Sequence, residues 1–296
     1  MKALIYHPGL TLASVPDPVP GPGQALIKVA ATALNFGEIA YRSPRPRPGH
    51  IPGWDAAGIV VQPAADGSGP AAGTRVVTFG WAELRAVDTG ELAIVPDHVD
   101  LGLTSALPVA AGTALQAVRR LGSIAGRRIL ITGASGGVGR YAVQLAARAG
   151  AHVIASVGSP DRAAGLPALG AAEIVIGPAG LRERVYGVLD NVGGQQLADA
   201  FLRLEDDGVV QAVGKASREP TMIDFEEARV RSQRGRIENF NISTPLGDDL
   251  AHLVGLLATG ELDAQVGWRG PWVKAAEAAA ALLDRRVAGK AVLDVP

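Results

Sequence analysis

Between Arg127 and Arg162 the chain reads RRILITGASGGVGRYAVQLAARAGAHVIASVGSPDR, and Ala134, Gly136 and Gly139 occupy the three small positions of G-x-G-x-x-G, with alanine replacing the first glycine. Small residues at this spacing suit one task, the holding of a pyrophosphate. Gly136 lets the backbone approach the anion and Gly139 lets helix and strand pack closely. A helix opening through Ser135, Gly137 and Val138 offers free N–H groups to phosphate oxygens. NAD-specific chains place an acidic side chain about 20 residues beyond such a turn, where it binds the ribose 2′-hydroxyl and repels a 2′-phosphate. Ser156 stands there instead. Ser159 and Arg162 follow with a hydroxyl and a guanidinium suited to a phosphate, partly offset by Asp161. The cofactor expected is NADP(H).

A glycine triplet alone is weak evidence in a chain with 38 glycines, so its flanks decide its meaning. Arg128 to Thr132 is a short apolar run suited to a buried parallel strand, and Ala151 to Ser156 is a second. Between them Val138, Ala142, Leu145 and Ala149 recur at helical spacing on one face. Further runs at Glu173 to Ile176, Gly187 to Val192, Gly208 to Gly214 and Arg236 to Asn241 predict strands three to six of a doubly wound parallel sheet. Before this region the chain is different. Short β-like runs (ALIKVAATAL, AAGIVV, RVVTF, LAIV) broken by Pro and Gly predict a small, irregular β domain. Ala106 to Arg120 is the first convincing helical stretch, which puts the border near Pro108. Two helices, Leu250 to Ala258 and Val273 to Leu283, and a final strand from Lys290 to Val295 are expected to return to the first domain. The expected division is 1–107 with 246–296, and 108–245.

Composition excludes several functions. At 296 residues, 48% hydrophobic and 19% charged, the chain suits two globular domains, each with its own core. A net charge of −1 argues against nucleic acid as a partner. With no cysteine there are no disulfides, no thiolate catalysis and no thiolate metal site. His7, His50, His98, His152 and His252 lie far apart without ligand spacing. The N-terminal stretch lacks the apolar segment of a secretory signal, and no 18-residue apolar run suggests a membrane span, so the cytoplasm is expected.

Five ordered motifs extend the reading: PGWDAAGIV at Pro52 to Val60, ALPVAAGTAL at Ala106 to Leu115, GASGGVG at Gly133 to Gly139, LDNVGG at Leu189 to Gly194 and GKAVL at Gly289 to Leu293. In this order they resemble the medium-chain dehydrogenases/reductases, closest to their zinc-free quinone oxidoreductase and enoyl reductase branch. The resemblance implies an α/β protein with a Rossmann domain, a GroES-like β-rich catalytic domain, NADPH in a cleft, and a homodimer or homotetramer. Zinc-dependent relatives carry G-H-E where this chain has Gly53, Trp54 and Asp55, so zinc alcohol chemistry is not expected. Hydride from NADPH alone suits a conjugated enone, an enoyl thioester or a quinone, because the resulting enolate or hydroquinone needs only hydrogen bonds and a proton.

The same resemblance marks individual residues. Asn35 matches an asparagine beside the nicotinamide, either a donor to the developing oxyanion or an orienter of the cofactor; a structural Asn at a strand end is the alternative. Tyr41, one place beyond the tyrosine of some relatives, is the nearest candidate proton donor. Thr113 resembles a threonine of the cofactor cleft, and Lys290 a lysine near it, with a helix-facing hydroxyl and a solvated surface lysine as the plain alternatives. Asn191, Gly193 and Gly194 would end strand four, and Val213, Gly214 and Lys215 strand five, at the strand ends where this fold binds ligands. Phe240 would wall the pocket after strand six, or serve the core or a subunit contact. The span from Ile176 to Leu189 is shorter than in relatives and lacks a tyrosine at about Gly177, which shifts the 2′-phosphate onto Ser159 and Arg162. Arg42, Arg45 and Arg47 alternate with Pro44, Pro46 and Pro48 in a loop ending at His50, suiting an anionic or carrier-linked small-molecule substrate or else a solvated surface loop. A non-catalytic NADPH-binding protein with a structural or nucleic-acid-binding role is the second class to weigh.

Overall fold

A computed structural model describes residues 1–6, 9–41, 51–231 and 234–296. The chain divides into two compact units, Met1–Gly112 with Ser243–Pro296, and Thr113–Ile242. Relative to the expected borders, the helix Pro108–Arg120 straddles the division rather than starting the second unit.

The first unit opens with β1 (Lys2–Tyr6) and β2 (Leu10–Ser14), an antiparallel ribbon, followed by β3 (Gln24–Leu34), α1 (Phe36–Ala40), β4 (Ala56–Gln62), β5 (Arg75–Thr78), β6 (Leu84–Asp88), β7 (Ala93–Ile94) and α2 (Leu101–Ser105). The β character expected from the Pro/Gly-broken runs is present. The two short helices are not anticipated, because five residues are too few for a helical period to appear.

The second unit runs from within α3 (Pro108–Arg120) through β8 (Arg128–Ile131), α4 (Gly137–Arg148), β9 (His152–Val157), β10 (Glu173–Ile176), β11 (Val185–Asp190), α5 (Gly194–Phe201), β12 (Leu204–Ala212), α6 (Phe225–Arg231) and β13 (Arg236–Asn239). The described strands form one sheet in the order β10-β9-β8-β11-β12-β13, and every neighbouring pair is parallel. The order reverses between β8 and β11, which is the switch point of a doubly wound sheet. Leu130, Ile154, Val188 and Val210, one from each of four strands, are buried in a core that Leu197, Phe201 and Ala228 of the helices complete.

The chain then returns to the first unit with α7 (Gly247–Ala258), β14 (Val266–Pro271), α8 (Ala275–Leu283) and β15 (Lys290–Asp294). The resulting sheet runs β14-β15-β3-β4-β5-β7, with β6 also on β3, so the end of the chain is hydrogen-bonded to β3. Its core gathers Leu4, Leu34, Ile39, Trp81, Trp272 and Leu293.

Three local expectations are corrected. Ala149 is exposed rather than part of the buried face of α4, because the helix ends at Arg148 and Gly150 leaves it with φ +82°. The strand expected at Gly187 to Val192 begins at Val185 and ends at Asp190, whose carboxylate accepts from the Gly193 N–H at 2.8 Å and turns the chain out of the sheet. The helix expected from Val273 begins at Ala275, after a short 3-10 turn at Trp272–Lys274. No described helix is long and apolar enough to cross a membrane.

Candidate functional site

The glycine turn lies between β8 and α4, as its spacing predicts. A Cβ on Gly139 would fall 2.3 Å from the Gly133 carbonyl oxygen and 2.7 Å from the Ala134 Cα, so helix and turn approach too closely for any side chain there. Gly136 differs. A Cβ there would meet only the Gly133 oxygen, at 3.3 Å, and the residue is extended backbone with φ −82° at the N-cap of α4. Space therefore remains open where a phosphate would meet the N–H groups that begin the helix. Ser135, Gly137 and Val138 are partly exposed around it, whereas Ala134 is buried and donates its N–H to the Ser156 carbonyl at 3.1 Å.

That bond brings the turn and the ribose-end residues together. Ser156 is itself wholly buried, and its hydroxyl has no hydrogen-bond partner. Its strand β9 is hydrogen-bonded along both edges, to β8 and to β10, and Ser156 within it is closed to a ligand, whereas the expected phosphate contacts Ser159 and Arg162 lie beyond the strand. Both are partly exposed on the short turn that follows, where the Arg162 N–H donates to the Ser159 carbonyl. Arg140, which sequence reasoning missed, straps this loop to the turn. Its guanidinium is buried and donates to the Ala164 carbonyl at 2.8 Å and the Ser135 carbonyl at 3.3 Å. Its place on α4 directly after Gly139 was the available signal.

At the switch point, the Thr132 hydroxyl donates to Asp190 Oδ1 at 2.6 Å and accepts from the Asn191 N–H at 3.0 Å, while Asn191 Nδ2 donates to the Thr132 carbonyl at 2.9 Å. Burial raises the Asp190 carboxyl above its ordinary range, against the pull of Thr132 and the Gly193 and Val192 amides. The N–H groups of Val213 and Gly214 donate to the Asp190 carbonyl, which joins the two expected strand ends. Phe240 is not an open wall. Its ring is buried, with the Arg120 guanidinium 4.5 Å from the ring centre, and Arg120 also donates to the Asn241 carbonyl. Thr113 is likewise buried.

In the first unit, Asn35 and Lys290 meet in a buried polar cluster. Lys290 Nζ donates to Asp55 Oδ2 at 2.7 Å, to Asn35 Oδ1 at 2.6 Å and to the Leu34 carbonyl at 3.1 Å. All three ammonium hydrogens are used, and the side chain is 2% exposed. Lys290 is thus neither solvated nor free to bind a cofactor; it fixes β15 against the end of β3. Because an ammonium can only donate, Asn35 must turn its oxygen to Lys290 and its nitrogen to the neighbouring carboxyl groups. Asn35 Nδ2 donates to Asp55 Oδ2 at 2.8 Å and to Glu38 Oε2 at 3.0 Å. Both amide hydrogens are committed to these carboxyl groups, so Asn35 offers no free N–H to an oxyanion in this state.

Asp55 and Glu38 are the residues that sequence reasoning left out. Asp55 is wholly buried; its Oδ1 accepts from the Val109 N–H at 2.8 Å and its carbonyl accepts from the Thr32 hydroxyl. Gly53 makes this placement possible, since at φ +123° a Cβ would fall 2.4 Å from the Trp81 nitrogen. Glu38 lies one helical turn from Asn35, a spacing that puts the two on one face. Burial pushes its carboxyl up to about 8, reinforced by Asp55 and opposed by Asn35, Lys290 and the Trp54 amide. Its Oε1 is buried without a partner. Tyr41 caps the end of α1, half-exposed, with its ring edge-on to Phe36 at 6.4 Å.

A separate cavity of about 450 Å³ lies against Arg75, His98, Asp100, Arg269 and Asp294. Arg269 is already bonded to Asp100 and Asp294, and Arg75 donates to the Asp97 and Val99 carbonyls. Among the described residues no group of three His, Asp or Glu side chains could hold a metal ion. The arginine and proline loop, with His7 and His50, lies outside the described residues.

A doubly wound unit with an open phosphate turn, carried with a β-rich unit built from both ends of the chain, defines the NAD(P)-dependent oxidoreductases of two-domain type. The family profile "Alcohol dehydrogenase GroES-like domain" matches residues 21–148, and "Zinc-binding dehydrogenase" matches residues 169–293. A chloroplastic quinone-oxidoreductase, QR1 of Triphysaria versicolor, is 30% identical over 97% of this chain and 94% of its own length. Erythronolide synthase EryA2 of Saccharopolyspora erythraea is 34% identical over 81% of this chain, which spans only 7% of that protein. Among solved structures, an NAD-dependent alcohol dehydrogenase superposes with a TM-score of 0.87 at 26% identity, each chain fully covered. The mycobacterial Rv1454c complexed with NADPH superposes at 0.84 and 25% identity, with 99% of this chain and 100% of that one covered. The chain belongs to the medium-chain dehydrogenase/reductase superfamily, in its quinone oxidoreductase and enoyl reductase branch.

Proposed function

We propose that this chain is a metal-independent, NADPH-dependent reductase that delivers hydride to a conjugated enone, an enoyl thioester or a quinone. The observation that carries the reading is the contrast within the glycine turn, closed by packing at Gly139 and open at Gly136. The residues present fit the cofactor: the N–H groups at the start of α4 would hold the pyrophosphate, and Ser159 and Arg162 the 2′-phosphate. When bound, NADPH supplies the hydride.

Metal independence is supported by what fills the β-rich unit. Asp55, in the segment where zinc-dependent relatives carry a ligand, is already paired with the Lys290 ammonium, and the chain has no cysteine to offer. Charge that develops on the acceptor oxygen must then be met by hydrogen bonds and a proton. The expected result is chelator-resistant oxidation of NADPH by at least one of a quinone, a simple enone or a CoA thioester. Stoichiometric zinc together with activity lost to a chelator would overturn the metal-free part, and tight NADPH binding without turnover on any acceptor would overturn the reductase.

A further inference from the structure

We propose that Glu38 is the proton donor of the reduction, its unpartnered Oε1 meeting the acceptor. The inference deepens the reductase reading and rests on it. A carboxyl oxygen buried without a partner is costly unless a ligand completes it. Glu38 is only 7% exposed, and its other oxygen is held by Asn35 Nδ2, which leaves Oε1 as the orphan. Beside it lie half-buried Gly37 and the half-exposed ring of Trp54, which a Cβ on Gly37 would touch at 3.6 Å. Such an aromatic surface suits a flat, conjugated acceptor.

The groups around Glu38 fix its state. Asp55 and Lys290 are its charged neighbours, Asn35 bridges the carboxylates, and the Tyr6 hydroxyl donates to the Glu38 backbone carbonyl at 2.9 Å. Helix α8, packed behind Ile39, buries Ala275, Ala278, Ala279 and Leu282 and holds its one titratable side chain, Glu277, exposed to solvent. One ammonium and one carboxylate already balance, so a second carboxylate would carry a buried net charge. Glu38 therefore holds its proton at neutral pH, pushed up to about 8 chiefly by burial.

The step balances as follows. Hydride arrives with two electrons at the β-carbon of the conjugated acceptor and leaves negative charge on its oxygen; a quinone likewise becomes a hydroquinone anion. The Oε1–H bond breaks and its proton passes to that anion or, in an enolate, to the α-carbon. Glu38 is left as a carboxylate held by Asn35, and water returns its proton.

The experiment combines kcat and KM against pH for the parent, Glu38→Gln and Glu38→Asp with an infrared titration of the protonated carboxyl in cofactor-free parent and Glu38→Gln. We expect parent kcat/KM to fall above about pH 8. Glu38→Gln should lose roughly 100-fold or more in kcat with KM little changed and lack that limb, and Glu38→Asp should recover part of the loss. A carboxyl band absent from Glu38→Gln should disappear with the same midpoint. An active Glu38→Gln with the parent's pH profile overturns the role of Glu38 and leaves the reductase standing. A carboxyl that titrates in the ordinary range overturns it even if the variant does not fold. A parent that oxidises NADPH with no acceptor overturns both readings.

Discussion

The glycine turn of the second unit and the lysine-centred cluster of the first place polar groups by opposite means. In the turn, backbone does the placing: Gly139 is closed by its own packing, and Gly136 is left open over the N–H groups of α4. In the cluster, side chains do it: Asn35, Asp55 and Lys290 come from three distant parts of the chain and use one another's hydrogen-bonding capacity. The turn would offer the N–H groups that begin α4 to a ligand. The cluster keeps one oxygen, Glu38 Oε1, and consumes the rest internally. Mutations should therefore break the cluster through uncompensated charge and the turn through shape.

The largest expected effects test that division. Lys290→Met removes the only cation bonded to Asp55 among the described residues and leaves a wholly buried carboxylate, which should cost about 3–5 kcal/mol in guanidinium unfolding at pH 7. A loss below about 1 kcal/mol would mean that Asp55 is neutral or relaxes to water. Gly139→Val should be of similar size, since backbone rather than a flexible side chain lies at 2.3 Å. Gly136→Val should instead keep the fold and lose NADPH affinity on the order of 100-fold, about 2.7 kcal/mol, by calorimetry. Unchanged affinity in that variant would displace the phosphate from this turn.

The same division explains what could be read from the sequence. The β-turn-α-β unit was legible because its signal is local, with strand, turn and helix within one short stretch and each residue type set by backbone geometry. Strand ends were less so: β11 stops at Asp190 because that carboxylate captures the Gly193 N–H, a contact no periodicity reveals. Asn35 and Lys290 could be singled out separately through a family resemblance. Their meeting depends on β15 pairing with β3, so the commitment of every Lys290 donor was not visible. Glu38 carried a usable local signal, its three-residue spacing from Asn35. Phe240 reads equally as core or wall until Arg120 is found over its ring.

A mid-sized effect separates the charge of Glu38 from its shape. The folded protein holds a proton on Glu38 that the unfolded chain releases near 4.5, so between that value and about 8 the unfolded state binds fewer protons and stability falls as pH rises. Glu38→Gln keeps an acceptor for Asn35 but cannot ionise. Its stability relative to the parent should rise across that window, by on the order of 1–3 kcal/mol at pH 8. Parallel stability curves for the two proteins from pH 5 to 8 would show that Glu38 titrates normally.

The smallest effect concerns the rim of the turn, where exposed charge meets ligand. If Arg162 pairs with the 2′-phosphate, Arg162→Ala removes a charge-assisted bond of roughly 1.5–3 kcal/mol, or on the order of 10- to 100-fold in NADPH affinity. The lower end is expected, because Arg162 is only partly buried and the exposed Asp161 lies beside it in the chain. NADH lacks the phosphate, so its affinity should barely change. With Ser156 buried, Ser159 is the remaining hydroxyl on that turn, and Ser159→Ala should weaken NADPH in the same selective way but by less, since a neutral hydrogen bond is the weaker contact. Dissociation constants for both cofactors at fixed ionic strength decide the matter. Equal losses for NADPH and NADH would assign Arg162 to the loop or the adenine, and a parent that prefers NADH would move the selectivity away from these side chains altogether.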